Sequence, residues 1–219
     1  MSRARRVSSI STLIVVALMA AATVRAQTPA AEDRGYVQAV AESAFGNVTS
    51  QSYGAEAGFT VKPNLQVFGS FGHIGNVATD NLSTAAQSIA GALSQLQLGT
   101  VSFSVKEPAT FFVGGVRYRF PVTSVLKPYV SGGLGVASAS KDTKFFINGT
   151  DASSTIPQYA TLGSDVSGDE SALMFTFGGG VVWPAWRQLI LDFHYLYGHI
   201  STDAPINVSR AGVGIGVRF

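Results

Sequence analysis

Apolar and polar positions alternate with a period of two from Tyr36 to the end of the chain, the mark of β-strands with two unlike faces. The C-terminal stretch shows it most cleanly. Ala211, Val213, Ile215, Val217 and Phe219 share one face, and Arg210, Gly212, Gly214, Gly216 and Arg218 share the other. The pattern recurs in 53–61, 112–120, 173–183 and 189–197, where aromatic and aliphatic residues oppose Gly, Thr, Glu, Arg, Asp or His. With the weaker segments included, the alternation predicts eight strands: about 36–45, 50–61, 65–75, 109–120, 128–140, 171–183, 188–200 and 206–219. Each is near the roughly 9–11 residues with which a tilted strand crosses a bilayer.

The connections alternate in length. Short turns follow strands two, four and six, at Lys62-Pro63-Asn64, Pro121 to Lys127 and Pro184 to Arg187. Long segments at about 76–108 and 141–170 follow strands three and five. Leu82, Ala85, Ile89, Leu93 and Leu96 recur at helical spacing inside the first of these. That helix either caps the mouth of the sheet structure or lies on the membrane surface, and local packing over the rim is the simpler reading. Val101, Phe103 and Val105, and Lys144 to Ile147, are placed to extend strands four and five, and Asn148-Gly149-Thr150 reads as a turn.

Composition changes the picture in two ways. Charged residues make up only 13% of the chain, against roughly 25% in soluble domains. There is no cysteine, which removes disulfides, thiolate metal sites and thiol nucleophiles. The first residues explain part of the apolarity. Arg3, Arg5 and Arg6 precede the apolar run Leu13–Thr23, and Val24-Arg25-Ala26 offers a cleavage site, so 1–26 reads as a secretory signal peptide and 27–34 as a short periplasmic tail. Cleavage removes four of the 15 basic residues and none of the 13 acidic ones, so the mature chain is slightly acidic. The alkaline pI thus belongs to the leader and gives no case for nucleic-acid binding. No later apolar stretch reaches the length of a membrane helix.

An exported chain of this kind is a soluble barrel or a membrane barrel. Periodicity alone does not say which face is inward. Charges of both signs on the polar face, and aromatic residues at strand ends (Tyr118, Phe120, Trp183, Tyr195, Tyr197, Phe219), favour the arrangement with the apolar face in lipid. Only helices and closed barrels satisfy every backbone group in hydrocarbon, and no helix is available. The expectation is an all-β, eight-stranded, antiparallel up-and-down transmembrane barrel over residues 35–219, with short periplasmic turns and long extracellular loops.

Several motifs carry a family resemblance. Val217-Arg218-Phe219, with apolar alternates upstream, is similar to the C-terminal signal read by the outer-membrane assembly machinery, with Phe219 as its last residue. Lys127-Pro128-Tyr129-Val130-Ser131-Gly132-Gly133-Leu134-Gly135, Gly114-Gly115-Val116-Arg117-Tyr118-Arg119-Phe120 and Asp192-Phe193-His194-Tyr195-Leu196-Tyr197 resemble strands five, four and seven of the OmpA-like outer-membrane β-barrel family. The resemblance implies a small barrel in the cell outer membrane, with outer-membrane lipid and the barrel assembly machinery as partners. The chain reads as stopping at the barrel, without that family's peptidoglycan-binding domain, so that role is not expected.

Strand parity turns Glu42, Glu56, Asp192, Arg117, Arg119, Arg210 and Arg218 inward. Unpaired buried charges cost several kcal/mol, so these residues should pair in the lumen. They form either a plug or a gated narrow pore, and the small interior of eight strands favours the plug. His199-Ile200-Ser201 resembles the His-x-Ser of outer-membrane lipid A deacylases, in which the His activates the Ser. Thr202 stands where that family has Asn, and strand eight offers no outward acid, so His199 and Ser201 are only an alternative catalytic pair. His73 and His194 read as strand and lumen residues. No metal site and no cofactor is expected. The expected role is structural or at the cell surface and not enzymatic, with the long loops free to meet a surface ligand or act in adhesion.

Overall fold

The computed structural model describes residues 33–95, 100–154 and 167–219. The expected signal peptide, most of the expected tail and Leu96 lie outside them. Ten strands and one helix are described: β1 (Gly35–Phe45), β2 (Thr49–Lys62), β3 (Leu65–Ile74), α1 (Asp80–Gln95), β4 (Val101–Lys106), β5 (Ala109–Arg119), β6 (Lys127–Ile147), β7 (Thr150–Asp151), β8 (Gly168–Trp186), β9 (Leu189–Ile200) and β10 (Ile206–Arg218).

Eight of the strands close a ring in the order β1-β2-β3-β5-β6-β8-β9-β10, each antiparallel to its neighbours. Closure is made by β10 on β1, from Tyr36 opposite Arg218 to Phe45 opposite Ser209. The last residue completes the ladder: Gly35 and Phe219 exchange two backbone hydrogen bonds of 3.0 Å. No backbone edge of the ring is left for lipid or another chain to pair with.

Tight turns join strands at one end. In Pro63-Asn64, Pro fixes its own φ and Asn64 takes the left-handed conformation at φ 67°, which Asn tolerates better than most residues. At the other end the barrel walls continue. β6 runs for 21 residues, and β4 pairs with its upper half, Lys106 opposite Asp142 and Val101 opposite Ile147. β4 and β5 are thus two lengths of one wall, interrupted at Glu107-Pro108.

The helix sits on the inward face of this extension. Thr79 caps its start, its Oγ1 accepting from the Leu82 N–H at 3.3 Å. Leu82, Ala86, Ala90 and Leu93 are buried. They pack against Phe145, Val101, Phe103 and Val105 on one side, and Leu82 reaches Val48 of the β1–β2 turn on the other. The helix therefore caps the mouth of the barrel. Its buried stripe lies one residue away from the expected Ala85 and Ile89, which are only half buried.

The outward face of the ring carries an apolar belt. Phe71, Phe112, Leu134, Phe177 and Ile215 are each more than half exposed. A monomeric soluble protein rarely exposes such patches beyond roughly 600 Å², so this belt is the lipid face. Aromatic pairs edge it at the short-turn end, Tyr118 with Phe120 at 5.5 Å and Phe59 with Phe219 at 6.2 Å between ring centroids.

Glycines let the strands coil tightly enough to close. A Cβ added to Gly135 would overlap the backbone carbonyl of Phe112 on the neighbouring strand, whereas one added to the outward Gly114 meets nothing nearer than 3.9 Å. We expect Gly135→Val to abolish the heat-modifiable folded band on unboiled gels, and Gly114→Ala to retain it.

Candidate functional site in the barrel lumen

The lumen is filled in two tiers. The tier nearer the short turns is polar and centres on Arg117 of β5. Its Nη2 lies 2.6 Å from Glu56 Oε1 and 3.6 Å from Asp192 Oδ2. The guanidinium stacks on Tyr129 at 3.9 Å and lies 4.9 Å from the centroid of the Tyr36 ring. Both phenols also donate to the acids, Tyr36 to Glu56 at 2.8 Å and Tyr129 to Asp192 at 3.0 Å. Gln38 Nε2 bridges the two carboxylates, at 3.1 Å from Glu56 and 3.0 Å from Asp192.

Glu42 gathers the remaining polar groups. It accepts from Ser52 Oγ at 2.6 Å and Arg210 Nη1 at 3.1 Å, and its other oxygen lies 3.0 Å from His194 Nε2. His194 Nδ1 is 3.9 Å from Asp192 Oδ1, so the imidazole stands between the two groups. Arg210 in turn lies over the Phe111 ring at 4.5 Å. The network draws side chains from β1, β2, β5, β6, β9 and β10, six of the ring's eight strands. The void between Glu42, Glu56, Arg117, Tyr129 and His194 is about 10 Å³, room for a single water at most.

Five of the expected lumen residues are thus brought together: Glu42, Glu56, Arg117, Asp192 and Arg210. Arg119 and Arg218 are not. They sit at the short-turn mouth, where Arg218 Nη1 holds Asp33 at 3.0 Å and Arg119 Nη1 reaches the same oxygen at 4.0 Å. Arg218 also donates to the Arg187 carbonyl. Parity gives the face of a strand residue but not its depth, and these arginines are the last residues of β5 and β10. Tyr36, Gln38, Ser52 and Tyr129 join the network from outside the expected set, although each shares its parity with a recognised lumen residue on the same strand or carries a polar tip inward.

The tier nearer the helix adds an apolar filling to the paired charges that strand parity predicts for the lumen. Ile74, Phe111, Val113, Ala137, Ala139, Met174, Ile200, Ile206 and Val208 pack there into one buried apolar cluster. Apolar packing fills this half without the desolvation cost that a second set of charges would carry.

Above it, beyond the membrane, Glu107 is 2% exposed and its Oε2 has no hydrogen-bond partner. Burial pushes its carboxyl above the ordinary carboxylate value, with Lys141 pulling the other way.

The alternative catalytic pair does not assemble. His199 Nδ1 lies 2.7 Å from Asn207 Oδ1, an oxygen that also accepts from Tyr197. Asn207 therefore occupies the position on β10 where an orienting acid would stand. Ser201 is exposed and anchors through its backbone N–H to the Leu173 carbonyl. Among the described residues, no cluster of three His, Asp or Glu side chains is arranged to hold a metal ion.

The sequence matches the outer membrane protein beta-barrel domain family over residues 14–219, and the chain belongs to that family. It is a transmembrane barrel of the cell outer membrane. Neisserial surface protein A has the same fold, with 17% identity and a TM-score of 0.55 over 84% of this chain and 97% of that one. A major outer membrane protein from Thermus thermophilus gives 10% identity and a TM-score of 0.53 over 84% and 99%. The barrel domain of Pseudomonas aeruginosa OprF gives 16% and 0.49 over 86% and 100%. No curated protein sequence matches the chain.

Two variants test the interior. Arg117→Met leaves Glu56 and Asp192 without their cation, and breaking one side of a buried pair costs about 3–5 kcal/mol. Urea unfolding in lipid vesicles, followed by Trp183 and Trp186 fluorescence, should show that loss, with partial recovery in Arg117→Met/Glu56→Gln. For Glu107 the linkage sign is that of a raised acid. Its neutral form is favoured by the fold, so stability is retained at low pH and lost as the group ionises. Glu107→Gln should raise the urea midpoint in alkaline buffer and leave it unchanged below the ordinary carboxylate range.

Proposed function

We propose that the protein is a sealed, non-enzymatic barrel that serves as a rigid outer-membrane platform. The platform displays α1 and the β4–β6 extension at the cell surface. The observation that carries this reading is the lumen. A cross-tied ionic network blocks one half and an apolar cluster blocks the other, with the helix above them. A transient opening would have to break several buried charge contacts and displace packed Phe111, Val113 and Met174 together.

In this family architecture the short turns face the periplasm and the longer excursions face outward. The role proposed is therefore structural and surface-exposed, with outer-membrane lipid around the belt. Phe219, seated in the closing ladder, serves as the residue read by the barrel assembly machinery.

Planar-bilayer recording tests the sealed state. The wild-type protein is expected to show no stable single-channel openings, and Arg117→Ala combined with Phe111→Ala is expected to admit small ones. Stable, large openings from the wild-type chain would sink the platform reading in favour of a pore. A peptide tag inserted at Asn148-Gly149 should be accessible to antibody on intact cells.

A further inference from the structure

The short-turn mouth contains a cavity that ends on the lumen network at Tyr36 and Arg117. Its volume is about 450 Å³, within the roughly 300–1,000 Å³ of small-molecule sites. Its lining mixes two chemistries: Phe120, Val122, Pro184 and Ile190 are apolar, and Arg117, Arg119, Arg218 and Lys127 are basic, Lys127 Nζ donating to the Val122 carbonyl at 3.0 Å. Arg117 is 3% exposed, and its Nε is buried without a hydrogen-bond partner.

Asp33 is the acid among the cavity's lining residues. It is carried on the segment just before β1, held in place by the Thr60 hydroxyl donating to its backbone carbonyl at 2.7 Å. Its side chain takes the position that an incoming carboxylate would take, bonded to Arg218 and within 4.0 Å of Arg119. The second of these distances is beyond a hydrogen bond, so the Arg119 fork is underused. Among the described residues this end of the barrel carries Arg34, Lys62, Arg119, Lys127, Arg187 and Arg218 against Asp33. Such an imbalance raises the local concentration of anions.

We propose that this mouth binds a small carboxylate with an apolar body, of the aryl-alkyl or short fatty acid class, from the periplasmic side. Arg119 offers the carboxylate its guanidinium fork and Arg218 its Nη1, the other edge of Arg218 being held by the Arg187 carbonyl; charge-assisted hydrogen bonds of this kind are the strong ones. Phe120, Val122 and Ile190 cover the apolar body. Asp33 is the intramolecular competitor that must be displaced, which lowers the apparent affinity by the fraction of time it holds the site.

The test uses the full mature protein in nanodiscs of zwitterionic lipid, with backbone amide shifts read by NMR. Phenylbutyrate is the probe, and phenylbutanol is the neutral control of similar shape. Saturable shifts at Phe120, Val122 and Ile190 are expected with the acid and not with the alcohol. Arg119→Gln should weaken binding by about tenfold, the size of one charge-assisted hydrogen bond. Asp33→Asn should tighten it by about three- to tenfold through loss of the competitor. Equal shifts from the alcohol, or shifts that never saturate, would mean partitioning into the bilayer and overturn the site. Unchanged affinity in Arg119→Gln, or unchanged or weaker affinity in a heat-modifiable Asp33→Asn, would overturn it as well. If Asp33→Asn does not fold, the Arg119→Gln titration decides alone.

Discussion

Pairing of the final strand with the first is the contact on which the rest of the structure depends. In hydrocarbon an unpaired backbone N–H or C=O costs several kcal/mol, and an open sheet of eight strands would leave a whole edge of them. The seam between β1 and β10 removes that edge, down to the mutual bonds of Gly35 and Phe219. Closure at eight strands then fixes how much room is left inside. Wherever a side chain would collide with a neighbouring backbone, as at Gly135, glycine is required. Elsewhere the inward residues must interlock.

How they interlock explains the two tiers. Burying Glu42, Glu56 and Asp192 beside two arginines is costly in desolvation, and an apolar core of equal volume is often no less stable. What the ionic tier offers is direction. Each carboxylate has several partners fixed at about 3 Å on different strands, so a shift of register by one residue would turn those groups into lipid and leave their partners unpaired. The apolar tier has no such directionality and supplies packing. A barrel built from both has its register specified at one level and its mouth filled at the other.

The strands were legible in the sequence because each has one face in lipid and one in a crowded interior. All eight ring strands fall where the alternation puts them. Depth was not legible. The run Phe111–Val113 is apolar on both faces, so the inward Phe111 and Val113 were hidden behind the outward Phe112. Arg119 and Arg218 share the parity of lumen residues yet lie at the mouth. Network partners are equally hidden, since Gln38 and Asp192 stand 154 residues apart and meet only when the ring order is known. The helix was visible from its spacing, but its seat over the mouth depends on β4 and β6 rising beyond the membrane together.

The two ends of the barrel differ in charge. The short-turn end is basic. Among the described residues the opposite end carries Asp80, Glu107, Asp142, Asp151, Asp169, Glu170 and Asp203 against Lys106, Lys141 and Lys144. Its acids are partly tied into the wall: Glu170 pairs with Lys141 at 3.2 Å and accepts the Asp203 N–H at 2.7 Å, and Ser140 donates to Asp169. Those contacts stiffen the join between the rising β6 and β8 walls without neutralising the end. The barrel wall thus separates an end with an excess of basic side chains from an end with an excess of acids, and that polarity follows from where the strands stop.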